Sequence, residues 1–250
     1  MTSLDFNKEC IKELQKSGFQ DRVAVIGSGP SCPFITSLDE LVKRLKKSCG
    51  VQKKTSDYHW VFFEKAYKKN PRKYFEAIKI SFSNTPEWDA RAYDYLANIN
   101  FRSFVTLNYD DQLPTAFRRR YEDDFECRFR VYPTRGTEKF WDPGDLFPQR
   151  QRLVAIHGYK NDNDTEWHKH LILRVSDYNT HYGDGKLSDG RHTTPYLYSW
   201  WKTLLTTQRC VFIGTSLHEP GLGLVVEDLI KDGNPYLKEQ DHIHSQATGH

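Results

Sequence analysis

Two polar residues that follow short apolar runs are the first candidates for chemistry in this chain of 250 residues. Asn108 follows Phe104-Val105-Thr106-Leu107, and His157 follows Leu153-Val154-Ala155-Ile156. An asparagine amide offers donors and acceptors, so it can orient a hydroxyl group or a water molecule. A histidine changes protonation near neutral pH and can act as a general base. Each residue also has an ordinary alternative, Asn108 as a turn asparagine that closes a strand and His157 as a hydrogen-bonded core histidine.

Two further apolar runs end at glycine-containing turns. Val23-Ala24-Val25-Ile26 leads into Gly27-Ser28-Gly29-Pro30-Ser31, and Val211-Phe212-Ile213 leads into Gly214-Thr215-Ser216. Glycine lets the backbone approach a ligand closely, and the N-terminus of a helix beyond such a turn favours negative charge. The first turn lacks the lysine of a Walker loop and the third glycine of the dinucleotide fingerprint, so alone it does not distinguish a nucleotide site from an ordinary turn.

The side chains beside these turns also have two possible roles. The hydroxyl groups of Thr215 and Ser216 could hold ribose or phosphate oxygens, or they could cap the next helix. Thr106 and Asp110 flank Asn108 at the end of its run, and Asp110 and Asp111 are placed to cap the helix that follows. The residue types therefore indicate a site only if the four turns lie together.

The elements that carry these residues predict an α/β fold. Apolar strands separated by helical patterns imply a Rossmann-like, mostly parallel sheet with helices on both faces. Ligands bind beyond the carboxyl ends of the strands in such sheets, so the four strand ends are expected to converge on one crevice. Leu171-Ile172-Leu173 predicts a further strand, and the apolar run at 129–131 is too short to assign.

We predict one domain over residues 1–250, with a helical insert at 51–100. This interval spreads aromatic residues among lysines without strand alternation. Near its end, Tyr95 and Leu96 are expected on the apolar face of a helix. Most of the aromatic residues are expected to pack in the core.

Composition excludes several classes of protein. The chain has 36 basic and 33 acidic residues, a balance that gives no reason to expect nucleic acid as a direct partner. Five cysteines without a Cys-x-x-Cys pair argue against a disulfide framework and a four-cysteine zinc site. No carboxylate or cysteine convincingly accompanies the two His-x-His pairs, so we expect no metal; the pairs are His168 with His170 and His242 with His244. No signal peptide or membrane-spanning run is evident, and the cytoplasm is the expected compartment.

The order of the four strand-end motifs resembles the sirtuin superfamily. Gly27-Ser28-Gly29 with Ser31, then Asn108-Tyr109-Asp110, His157-Gly158 and Gly214-Thr215-Ser216 are similar to its motifs in sequence order. The Asn-Tyr-Asp form looks more like the bacterial sirtuin-like NADases of anti-phage defence, and the segment 171–178, which ends in Ser-Asp-Tyr, is similar to a stretch of that family. The paired Cys-x-x-Cys zinc module and the Asp-Phe-Arg segment of deacetylases are absent.

The resemblance implies that NAD is the substrate and is hydrolysed to nicotinamide and ADP-ribose. It implies that Asn108 positions the attacking water or a ribose hydroxyl, while His157 acts as general base or as a hydrogen-bond partner of the ribose. The glycine turn would approach the pyrophosphate, and Thr215 and Ser216 would face a ribose. The residues expected to bind NAD are Gly27, Ser28, Gly29, Ser31, Thr106, Asp110, Gly214, Thr215 and Ser216.

The chemistry of NAD hydrolysis is compatible with a site that has an amide and an imidazole but no metal. Two alternative functions stay open. Cationic nicotinamide is a good leaving group, and an oxocarbenium-like transition state needs one held water more than it needs a metal. The alternatives are an NAD- or ADP-ribose-binding regulatory or assembly module without turnover and an NAD-dependent protein deacylase. The resemblance further implies a homo-oligomer or a partner protein such as a HerA-type ATPase or an Argonaute.

Overall fold

One parallel sheet forms the centre of the molecule. The computed structural model describes residues 19–31, 37–55, 57–83, 91–132, 151–161, 163–183, 196–215 and 219–231. The strands of these residues are β1 (Arg22–Ile26), β2 (Ser103–Thr106), β3 (Phe129–Val131), β4 (Arg152–Ala155) and β5 (Arg209–Ile213). They lie in the order β3-β4-β2-β1-β5, and each neighbouring pair is parallel. The predicted α/β class with a Rossmann-like parallel sheet is confirmed.

Nine α-helices occur in the described ranges. The helices before β2 are α1 (Leu38–Cys49), α2 (His59–Lys69), α3 (Pro71–Ser83) and α4 (Arg91–Asn98). The later ones are α5 (Gln112–Tyr121), α6 (Phe125–Arg128), α7 (Val175–Tyr182), α8 (Tyr196–Thr207) and α9 (Pro220–Lys231). None of these helices is long and apolar enough to cross a membrane.

Helices cover both faces of the sheet, because alternate residues of the buried strands point to opposite sides. On one face, Ala24 and Phe104 pack against α4 and α5 through Tyr93 and Phe117. On the other face, Val25, Val105 and Val154 pack against α7, α8 and α9. The side chains from those three helices include Tyr178, Tyr182, Trp200, Trp201, Leu222 and Val225.

A third core lies among α1, α2 and α3. Leu41, Phe62 and Ile78 are buried there together with Trp167 and Leu171 from the segment after β4. The interval 51–100 therefore divides between two cores, since α2 and α3 pack with α1 whereas α4 packs on the sheet. The extent of the predicted domain and its insert stays a prediction, and residues 1–18 and 232–250 lie outside the described ranges.

The structure corrects two local predictions and assigns one segment that the sequence left open. Leu171-Ile172-Leu173 is not a strand: the Ile172 backbone amide donates to the His157 carbonyl at 3.1 Å, and Leu171 and Leu173 turn into the helical core. The run at 129–131, too short to assign from sequence, forms β3 because β4 supplies its backbone partners at the sheet edge. Tyr95 is 72% exposed on α4, where the sequence predicted an apolar face.

Candidate active site

Adjacent strand ends bring the predicted motifs to one rim of the sheet. Thr106 of β2 pairs with Ala155 of β4, so Asn108 and His157 each lie two residues beyond a matched pair of neighbouring strands. On the other side of β2, Ile26 pairs with Thr106 and also with Ile213. The rim therefore presents His157, Asn108, the first glycine turn and the Gly214 turn in that order. Ser216 lies outside the described residues.

The two glycine turns contact each other. The Gly27 amide donates to the Ile213 carbonyl at 2.9 Å, and the Gly29 amide donates to the Gly214 carbonyl at 2.8 Å. A Cβ on Gly27 would lie 2.5 Å from the Gly214 oxygen, and one on Gly29 would lie 2.6 Å from the Gly214 Cα. Gly214 itself has a φ of 64°, a backbone conformation that residues with a side chain rarely adopt. Packing between the turns accounts for these glycines, while exposed Ser28 and Gly29 remain accessible at the rim.

Asn108 belongs to a buried cluster of polar side chains. It is 5% exposed, and its Nδ2 donates to the Tyr93 hydroxyl at 2.9 Å and to Ser31 Oγ at 3.3 Å. Ser31 Oγ also contacts the Tyr93 hydroxyl and donates to Asp110 Oδ2 at 3.0 Å. The Asn108 backbone amide donates to Thr106 Oγ1 at 3.1 Å, which closes the turn after β2.

The ionised carboxylate of Asp110 gives this cluster a direction. An ionised carboxylate can only accept hydrogen bonds. Asp110 Oδ1 accepts one from the Gln112 backbone amide at 3.0 Å, and Oδ2 accepts one from the Ser31 hydroxyl. Because Ser31 uses its hydrogen on Asp110, the Tyr93 hydroxyl must donate to Ser31. Both hydroxyl oxygens then accept from Asn108 Nδ2. The side-chain hydrogen bonds of Asn108 within the described residues all use Nδ2, so its Oδ1 is held on the opposite side of the amide.

Burial makes the Asp110 carboxylate costly to ionise. Desolvation raises its pKa to about 6, although hydrogen bonds from Gln112 and Ser31 act in the opposite direction. The predicted capping role of Asp110 is visible in the bond to Gln112, at the first residue of α5. Asp110 is thus ionised at neutral pH and close enough to its pKa to respond to mild acid.

His157 lies beside this cluster in a different environment. It is 1% exposed, and its Nε2 is 2.8 Å from the Tyr182 hydroxyl; that hydroxyl accepts from the Trp201 indole at 3.0 Å. The Tyr109 ring stacks at 6.3 Å, and the Tyr178 ring meets the imidazole edge-on at 5.9 Å. Gly158 follows with a φ of 76°, and a Cβ there would lie 2.9 Å from the His170 carbonyl.

An acidic residue approaches the same imidazole nitrogen. Glu219 Oε1 lies 3.6 Å from His157 Nε2. Burial lowers the pKa of His157, while Glu219 and the Leu107 backbone raise it in part. Nδ1 of His157 is buried without a hydrogen-bond partner among the described residues. The ring is therefore held neutral and has the capacity to accept a proton.

Sequence reasoning missed three residues of this site: Tyr93, Tyr182 as a partner of the histidine, and Glu219. Tyr93 left no local signal, because its hydroxyl meets Asn108 and Ser31 only through the packing of α4 on the sheet. Glu219 did leave a local signal in the sequence, because an acidic residue directly before Pro220 is typical of the start of a helix.

The described residues contain no group of three or more His, Cys, Asp or Glu that could hold a metal ion. Of the two His-x-His pairs, His168 is buried with its ring 5.7 Å from that of Phe75. His242 and His244 lie beyond the described part of the chain.

Comparison with known families agrees with this arrangement. The family model of the SIR2-like domain matches residues 102–247, more than half of the chain, and this span includes Asn108, His157 and Gly214. The match begins after the Gly27 turn. No curated protein matches the chain. SIR2-like domains are in general NAD-dependent enzymes, so the match implies binding of NAD. The chain belongs to the SIR2-like family.

Proposed function

We propose that the protein hydrolyses NAD+ to nicotinamide and ADP-ribose. The observation that carries this proposal is the register of β2 and β4, which brings the strand ends that carry Asn108 and His157 to the same level of the sheet in a SIR2-like domain. The glycine turns on the same rim supply exposed backbone for the dinucleotide. Ser31 and Asp110 support the Asn108 side chain from inside, and Thr106 accepts from its backbone amide. We assign Thr215 and Ser216 to the ribose on the family resemblance alone.

The proposed reaction needs one oriented water and one base. The bond between ribose C1′ and the nicotinamide nitrogen breaks, and its electron pair neutralises the pyridinium. The water oxygen bonds to C1′, and its proton passes to His157. Asn108 Oδ1 orients the water, because the cluster fixes Nδ2 on the other side of the amide. No group is needed to protonate the leaving base.

Burial favours a second candidate, a form that binds NAD without turnover until it is activated. Asn108 and His157 are 5% and 1% exposed, so substrate reaches them only after side chains or segments move. We propose that oligomerisation or a partner protein, such as a HerA-type ATPase or an Argonaute, produces that change. In this proposal the protein is a cytoplasmic anti-phage effector that depletes NAD.

The direct test is to incubate the purified protein with NAD and identify the products by chromatography. Asn108→Ala and His157→Ala should each lower nicotinamide release by about 10²–10⁴-fold. Asn98→Ala and His59→Ala, which change the same residue types away from the rim, should leave the rate unchanged. Undiminished activity in both site variants would eliminate this site.

Calorimetry with NAD separates the alternatives. Binding without nicotinamide release would favour the regulatory module, whereas transfer of an acyl group from a lysine peptide to ADP-ribose would favour a deacylase. Comparing the isolated monomer with assembled fractions tests activation. A fully active monomer would contradict the need for an oligomer or partner.

A further inference from the structure

We propose that Glu219 is the positioning residue of His157: its carboxylate is the counter-ion of the imidazolium that forms when His157 accepts a proton. The inference rests on the proposed function, since it concerns the same proton transfer. It adds a residue that acts through His157 and does not touch the substrate itself.

The start of α9 holds the Glu219 carboxylate in place. Its Oε2 accepts from the Leu222 backbone amide at 2.6 Å, and its backbone carbonyl accepts from the Gly223 amide at 2.8 Å. A side-chain oxygen bound at a helix N-terminus has little freedom, and the helix dipole favours its negative charge. With Oε2 fixed there, Oε1 is directed to His157 Nε2 at 3.6 Å.

Glu219 Oε1 is an acceptor without a donor. It is buried and has no hydrogen-bond partner among the described residues. Leaving a buried acceptor unpaired normally destabilises a protein. A protonated His157 carries both a hydrogen on Nε2 and a positive charge, and both would favour the carboxylate that lies a short movement away. The resting geometry is thus complementary to the charged histidine.

The other groups around the imidazole do not carry charge at neutral pH. Tyr109, Tyr178 and Tyr182 surround the ring, and burial raises the pKa of each phenol. Burial likewise lowers the pKa of nearby His181, which stays neutral. Within the described chain, Glu219 is therefore the group that can balance a positive charge on His157.

Packing fixes the position of the Glu219 carboxylate relative to the His157 ring. The Tyr182 hydroxyl binds Nε2 and is itself held by the Trp201 indole. Gly221, in the first turn of α9, lies so close to the Tyr182 ring that a Cβ there would overlap it. This contact fixes α9, and with it Glu219, relative to α7 and the histidine.

The test compares Glu219→Gln with Glu227→Gln. Glutamine at 219 keeps an acceptor for the Leu222 amide and removes only the charge, while Glu227 is an exposed glutamate of the same helix. Glu219→Gln should lower the pKa of His157, read from the NMR titration of its ring protons. It should reduce kcat about tenfold or more with little change in KM, and move the acid limb of the kcat profile to lower pH. Glu227→Gln should change none of these.

An unchanged His157 pKa, or an unchanged kcat and acid limb, in Glu219→Gln would overturn the proposal. If that variant does not fold, Glu219→Asp replaces it, since aspartate caps helices well and keeps the charge farther from the ring. Its His157 pKa should fall below that of the natural protein. If the natural protein never cleaves NAD, the proposed function fails, and the NMR titration still decides the role of Glu219.

Discussion

Asn108 and His157 end neighbouring strands, but their surroundings are opposite in kind. Asn108 is enclosed by hydroxyl and carboxylate groups from three parts of the chain, Ser31, Tyr93 and Asp110. His157 is enclosed mainly by aromatic rings. On the first side the hydrogen-bond donors of the cluster are all used. On the second side, within the described residues, His157 Nδ1 and the acceptor Glu219 Oε1 have no hydrogen-bond partner.

This difference indicates a division of labour. A saturated, directed network fixes the orientation of an amide and leaves little room for change. The neutral imidazole of His157 lies among aromatic rings with the Glu219 carboxylate at one edge, so it can gain a charge without rearranging a hydrogen-bond network. Substitutions near Asn108 should therefore alter geometry and stability, whereas those near His157 should alter protonation.

The largest effect should come from Asn108→Asp, which keeps the shape but replaces the donor Nδ2 with an oxygen. That oxygen would face the hydroxyl oxygens of Ser31 and Tyr93 and would add a second carboxylate near Asp110. We expect a loss of about 3–5 kcal/mol in the free energy of unfolding at pH 8, with smaller loss at pH 5, and no detectable NAD cleavage. Denaturant unfolding and product chromatography measure both.

Asn98→Asp on the exposed side of α4 is the control and should cost little. If Asn108→Asp were as stable as the natural protein at pH 8, the direction assigned to the network would be wrong.

The strand ends could be predicted from sequence because each short apolar run stops at a polar or glycine residue. This pattern needs only local information, so β1, β2, β4 and β5 were recognised, and with them the four motifs at the rim. Their convergence followed from the general geometry of parallel sheets. The start of α1 at Ser37, whose side chain accepts from the Glu40 backbone amide, and its end at Gly50 are equally local features.

The support behind the motifs could not be predicted, because it depends on packing between distant elements. Tyr93 is 15 residues from Asn108 and 62 from Ser31, and only the docking of α4 brings their polar atoms together. Leu171-Ile172-Leu173 has the composition of a strand, but the helical core formed by α1, α2 and α3 takes two of its side chains. β3 exists because β4 is beside it.

The next effect concerns pH and Asp110. Its folded pKa of about 6 lies above its ordinary 3.8, so the folded state binds the proton more tightly than the unfolded state. The contribution of Asp110 to stability is therefore greatest below pH 3.8 and falls as pH rises through 6, by about 3 kcal/mol in total. Denaturant unfolding from pH 4 to 7 should show this fall as a difference between the natural protein and Asp110→Asn.

His157 should give the opposite slope, which sharpens the comparison. Its folded pKa is lowered from 6.5, so the unfolded state binds the proton more tightly and stability rises with pH up to about 6.5. His157→Gln should remove that rise and leave the Asp110 contribution intact. Equal slopes in the two variants would show that both sides respond to pH in the same way.

A moderate effect is expected from Tyr93→Phe. Removing the hydroxyl leaves Asn108 Nδ2 and Ser31 each with one partner fewer, so the amide gains freedom. We expect a loss of about 1–3 kcal/mol in the free energy of unfolding and about a tenfold lower kcat. Tyr95→Phe, which is exposed on the same helix, should leave both quantities unchanged. An equal loss in the two variants would mean that the Tyr93 hydroxyl does not orient Asn108.

The smallest effect on turnover should come from Tyr182→Phe, the counterpart of Tyr93→Phe on the histidine side. The variant removes a neutral partner of His157 Nε2, but Glu219 still faces that nitrogen, so the charged ring keeps its counter-ion. We expect kcat to fall only about threefold, although the unpaired Trp201 indole should cost about 1 kcal/mol of stability. Kinetics on the two phenylalanine variants measures the contrast. If they lost equal activity, orientation would matter as much for the imidazole as for the amide, and the division between the two sides would not hold.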